Sequence, residues 1–157
     1  MTHARVNVCI TGGVRQAQEA LKRAIADADA GAIVKAMREH AASAAIQRKG
    51  CEALRNLAAK SAENKTLIAQ VGGIEALVTA MKEHPAHAGV QEEACATLRN
   101  LTVNADNRGK IAAQWGIDAL LKAMEEHPAH SEVQEQACWA LRNLAANADI
   151  QVNIAAL

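Results

Sequence analysis

Cys51-Glu52-Ala53-Leu54-Arg55-Asn56-Leu57 returns as Cys95-Ala96-Thr97-Leu98-Arg99-Asn100-Leu101 and again as Cys138-Trp139-Ala140-Leu141-Arg142-Asn143-Leu144. The steps are 44 and then 43 residues. Upstream, Met37, Met81 and Met124 hold the same register, as do His40, His84 and His127. A period in the low forties marks an array of stacked helical units, each burying its apolar side against its neighbours.

Outward from that stretch, punctuation divides each unit into three helices. Gly72-Gly73 permits a sharp turn after a short first helix, Pro85 and Pro128 stop the second, and polar residues open the third. One unit is expected to hold helices at 63–70, 73–84 and 88–104, and the next at 106–114, 116–127 and 130–147. The first unit is looser, with helices at 14–26, 31–40 and 44–60 and with Asp27 or Asp29 capping the middle one. This divides one domain, 1–157, into repeats at 14–61, 62–105 and 106–148, with 149–157 beginning a fourth.

Composition suits close helix packing. Half of the 157 residues are apolar, there is no Phe or Tyr, and there are two Trp, so the core is built from Ala with Leu, Ile and Val. The formal net charge is zero, which provides no global field for nucleic acid or an anionic membrane. No apolar run reaches the length of a membrane span, and the first residues lack a signal-peptide core, so cytosol or nucleus is the expected compartment. Cys51, Cys95 and Cys138 occupy equivalent positions of successive repeats, about 8–10 Å apart on stacked helices. That is too far for a disulfide, and all three read as small core residues.

Gly72-Gly73-Ile74-Glu75-Ala76-Leu77-Val78, Val90-Gln91-Glu92-Glu93-Ala94-Cys95 and the Leu-Arg-Asn-Leu endings resemble the armadillo repeat family. HEAT repeats, the nearest alternative, usually lack the short first helix and the Gly-rich turn. The resemblance implies an all-α fold, a right-handed α-solenoid (superhelix) of three-helix armadillo repeats. It also implies a non-catalytic scaffold that binds an extended or disordered segment of another protein in a groove formed by the third helices.

A helix turns about 100° per residue, so the repeated stretch has a readable inside and outside. With Glu52, Ala96 or Trp139 at position zero, Ala94, Cys95, Leu98 and Leu101 in one repeat, and Ala137, Cys138, Leu141 and Leu144 in the next, fall on the core side. Arg48, Lys49, Glu52, Arg55, Asn56 and Ala59 fall outward. So do Glu92, Glu93, Ala96, Arg99, Asn100 and Val103, and then Glu135, Gln136, Trp139, Arg142, Asn143 and Ala146. The candidate peptide-binding residues are therefore Asn56, Asn100, Asn143, Trp139, Arg55, Arg99, Arg142, Glu52, Glu93 and Gln136.

The Asn56, Asn100 and Asn143 ladder suits a peptide backbone, because a carboxamide offers both a donor and an acceptor. In armadillo proteins the matching asparagine lines the groove, and the resemblance implies that role here. The competing reading has each asparagine bracing its own helix. Trp139-x-x-x-Asn143 resembles the pair of nuclear-import receptors, but Glu52 and Ala96 stand at the equivalent positions, which argues against a continuous lysine-reading groove. Arg55, Arg99 and Arg142 suit carboxylates, either those of a bound segment or those of Glu52, Glu92, Glu93 and Glu135 across repeats.

His84-Pro85-Ala86-His87 and His127-Pro128-Ala129-His130 would hold a metal only with further ligands, and none is apparent. Histidine at a helix C-terminus complements the dipole instead. No phosphate loop, nucleophile elbow or zinc-protease motif is present, and the polar residues recur with the repeat, whereas catalysis needs one asymmetric constellation. No cofactor or metal is implied. The alternative to a peptide groove is a structural spacer that self-associates through exposed repeat ends.

Overall fold

Short capped helices follow wherever a polar side chain can take the first free backbone N–H groups. In the computed structural model, which describes residues 3–147 and 150 with side chains from residue 13, Asp29 accepts from the Ala32 N–H at 2.9 Å and opens α2 (Ala30–Glu39). Ser61 opens α4 (Ala62–Gln70) and Asn104 opens α7 (Ala105–Ala113), each with a 3.1 Å bond. His87 and His130 do the same through Nδ1 for α6 (Ala88–Leu101) and α9 (Ser131–Ala145). The other described helices are α1 (His3–Ala26), α3 (Ala44–Lys60), α5 (Gly73–Glu83) and α8 (Gly116–Glu126), and no strand occurs among the described residues.

Three boundaries differ from expectation. α6 ends at Leu101, because Asn104 is recruited as the cap of the following helix, and α9 ends at Ala145. α1 begins at His3 instead of at residue 14. The expected fourth repeat at 149–157 lies outside the described residues except for Ile150, which is buried.

The turn between first and second helices depends on close approach. A Cβ on Gly73 would stand 2.7 Å from the Ile68 carbonyl oxygen, and one on Gly116 equally close to that of Ile111, so glycine alone fits. The residue before each adopts the left-handed conformation, Gly72 at φ 82° and Trp115 at φ 64°. For a tryptophan that conformation costs about 1–2 kcal/mol.

The helices stack by kind into an α-solenoid. The third helices form its central row, with the most extensive packing between repeats where α3 meets α6 and α6 meets α9, while α2, α5 and α8 form a second row. Ile33, Met37, Leu54, Leu77, Leu98 and Leu120 are fully buried between these rows. A second carboxamide ladder ties them together. Gln47, Gln91 and Gln134 each donate from Nε2 to the carbonyls of Met37 and His40, Met81 and His84, or Met124 and His127, at 2.8–3.0 Å, closing the last turn of each second helix. Repeats are joined similarly, as His84 donates from Nε2 to the Ala41 carbonyl at 2.7 Å and His127 to that of Pro85 at 2.6 Å.

Candidate functional site

Stacking α3, α6 and α9 lines up the Arg-Asn pairs of the three repeats, and the asparagines are all at least partly accessible. They differ in what they hold. Asn56 is exposed, with Lys22, Ile25, Lys49, Glu52 and Ala53 around a hollow of about 280 Å³ between α1 and α3. Asn100 donates from Nδ2 to the Arg55 carbonyl at 3.4 Å and accepts from the Arg99 guanidinium at 3.2 Å. Asn143 donates to Thr102 Oγ1 at 3.0 Å. The two later asparagines therefore brace the preceding third helix, not their own.

The arginines have diverged further. Arg55 pairs with Glu93 at 3.1 Å, α3 to α6, although the same carboxylate oxygen accepts no aligned hydrogen bond among the described residues. Glu93 is buried, contrary to its outward assignment, and so is Ala96. The reason is that α6 is covered on two flanks, by α3 and by α9, whereas a wheel drawn for one helix assumes a single covered side. Burial pushes the Glu93 carboxyl above the usual carboxylate range, Arg55 pulls against it, and Glu52 and Glu92 push it further up. Arg142 instead stacks on the Trp139 ring, 4.9 Å from the centroid.

At α9 the expected core fails in two places. Cys138 is exposed and Leu141 half-buried, where Cys51 and Cys95, Leu54 and Leu98 are buried. α6 covers the outer flank of α3, and α9 that of α6, but no described helix covers that of α9. That flank carries a hollow of about 220 Å³ lined by Glu135, Cys138, Trp139 and Arg142. By contrast, burial pushes the Cys95 thiol up to about 12 and the Cys51 thiol higher still, so both are unreactive as thiolates.

The family model for the armadillo/beta-catenin-like repeat matches residues 61–103 and 104–146, more than half of the chain. The chain belongs to the armadillo repeat family. Comparisons with curated proteins and with solved structures returned no match. The armadillo matches take in α4–α6 and α7–α9. Helix α3 joins the array through its stacking on α6 and its Leu54-Arg55-Asn56-Leu57 register. Armadillo repeats generally serve protein–protein interaction.

Other chemistry singled out in the sequence is absorbed by this fold. The His84, His87, His127 and His130 rings each bind backbone, as carbonyl donors or N–H acceptors. No three His, Cys, Asp or Glu side chains gather as metal ligands among the described residues, and no described helix is long and apolar enough to cross a membrane. Trp115 escaped the sequence reading. It is 64% exposed, with Lys82 Nζ 5.9 Å from its ring centroid. Its signal was its place in the Gly72 register, where a tryptophan has no turn-forming reason to stand.

Proposed function

We propose that this armadillo protein is a non-catalytic scaffold that binds an extended segment of a partner protein along the surface of α3, α6 and α9, gripping the partner's backbone with Asn56, Asn100 and Asn143. The supporting observation is the placement of three partly accessible carboxamides at one register of stacked helices, with hydrogen-bonding capacity left over. Asn56 is exposed, and Asn143 uses one N–H toward Thr102 and retains its second N–H and its carbonyl. Bracing Asn100 and Asn143 from behind fixes their orientation, which lowers the ordering cost of binding. Rungs about 8–10 Å apart meet a strand rising about 3.4 Å per residue every two or three residues. A cytosolic or nuclear setting suits such a scaffold.

A continuous groove for basic signals is disfavoured, because Trp139 stands alone among Glu52 and Ala96 and its ring already carries Arg142. Replacing Asn56, Asn100 and Asn143 together by Ala is expected to abolish capture of peptides selected on the wild-type protein while the helical circular dichroism persists. Capture that survives the triple replacement overturns the asparagine grip.

A further inference from the structure

Two successive steps of the third-helix row place the same backbone positions against each other with different side chains. From α3 to α6, Arg55 meets Glu93. From α6 to α9 the equivalent residues are Arg99 and Gln136, so the acid that would hold the arginine is replaced by an uncharged amide. The consequence is visible at both ends. Among the described residues no carboxylate lies within ion-pair distance of Arg99, whose guanidinium donates to the side-chain amide oxygen of its neighbour Asn100 at 3.2 Å. On the other side, the Gln136 Oε1 is buried and accepts no hydrogen bond among the described residues.

Arg99 is partly accessible and stands beside Asn100, so whatever backbone Asn100 holds passes within reach of the guanidinium. A guanidinium presents a planar fork of N–H donors suited to a carboxylate. The next rung adds positive charge, since Arg142 lies over Trp139 and occupies the ring face that a ligand cation would seek. Glu135 is the acidic neighbour on that rung, lining the hollow with Arg142 and Trp139, but it makes no ion pair with either arginine among the described residues.

Resting on the groove reading above, we infer that the α6–α9 step is a carboxylate-reading subsite, in which Arg99 pairs with an Asp or Glu side chain of the bound segment. The α3–α6 step cannot do this, because Glu93 already holds Arg55. One rung of three then chooses an acidic residue while the asparagines hold the backbone, which sets the register of the bound chain. Replacing Gln136 by Glu rebuilds the Arg55–Glu93 arrangement one step further on and closes the subsite from within.

Random twelve-residue peptides displayed on phage and selected on the full chain test this. Selection on the wild-type protein is expected to enrich peptides with Asp or Glu at one fixed position. Changing that residue to Gln or Asn in the synthetic peptide should weaken binding about tenfold on the wild type. The same change should weaken it by less than about twofold on Arg99→Met and Gln136→Glu, because one charge-assisted pair has been removed in each case. Arg99→Met keeps the inference testable if Gln136→Glu does not fold. Enrichment of neutral or basic peptides, or an acid preference unchanged in both variants, overturns the subsite while leaving the groove intact. Enrichment of no peptide at all overturns the groove and the subsite together.

Discussion

The α3–α6 and α6–α9 steps share a backbone arrangement and differ in their polar contents. At the first, Arg55 is paired with a buried Glu93, and Thr97 bonds the Cys51 carbonyl of the preceding helix at 3.0 Å. At the second, Gln136 and Ala140 replace Glu93 and Thr97, so the threonine bond is lost and the asparagine bond remains, from Asn143 to Thr102 where Asn100 bonds the Arg55 carbonyl at the first step. Armadillo stacking therefore needs the shape of the apolar side, carried by Leu57, Leu101 and Leu144, and tolerates either polar solution beside it. A largely buried ion pair adds little net stability, and on the proposed reading its retention closes that step to ligand carboxylates.

The largest contrast to break lies in the core. Leu98→Ala, in a helix covered by both neighbours, should cost about 3 kcal/mol, whereas Leu141→Ala, half-buried at the same register of α9, should cost about 1 kcal/mol. Equal losses in urea denaturation would mean that α9 is covered after all.

Next comes the arginine pair. Arg55→Met strands the Glu93 carboxylate and should cost about 2 kcal/mol at pH 7, while Arg99→Met should change stability by less than about 0.5 kcal/mol. The pH dependence has a definite sign. Because the folded Glu93 carboxyl lies above its unfolded value, the folded state binds more protons between the two, so its contribution to stability falls as pH rises through that window. Without Arg55 the folded value rises further, so the Arg55→Met deficit should shrink as the pH is lowered from 7 toward the ordinary carboxylate range. A deficit constant over that range in thermal melts would show that Arg55 acts through packing alone.

The smallest effect separates the asparagines. Asn143→Ala removes a bond to the neighbouring helix and should cost about 1 kcal/mol. Asn56→Ala removes an exposed amide and should leave stability unchanged within about 0.5 kcal/mol. A clear loss at Asn56 would reveal a bracing role there too and blur the division between grip and brace.

Much of the architecture was legible because periodicity and punctuation are local. The 44- and 43-residue recurrence located the stacked helices. Asp27 and Asp29 both offered a cap for the middle helix of the first unit, and Asp29 supplies it; Pro85 and Pro128 stand as stops just beyond the C-caps His84 and His127. The Gln47, Gln91 and Gln134 ladder had the same signal and went unread, since a glutamine on a helix says nothing of which carbonyls lie beside it. Trp115 stands in the Gly72 register, but that its backbone is also left-handed is visible only once the turn is built.

What the sequence by itself determined is the repeat: three helices per unit, a uniform apolar side, and Arg-Asn at a constant outward register. What only the tertiary structure decided is how many sides of each helix are covered. A single helical wheel has one inside, but α6 packs against two neighbours, so Glu93 and Ala96 are buried. On α9 the second cover is absent among the described residues, and Cys138 is exposed. Three arginines at one register thus meet a carboxylate, an amide and an indole ring: Arg55 finds Glu93 on the adjacent repeat, while Arg99, opposite the uncharged Gln136, and Arg142 contact residues of their own helices.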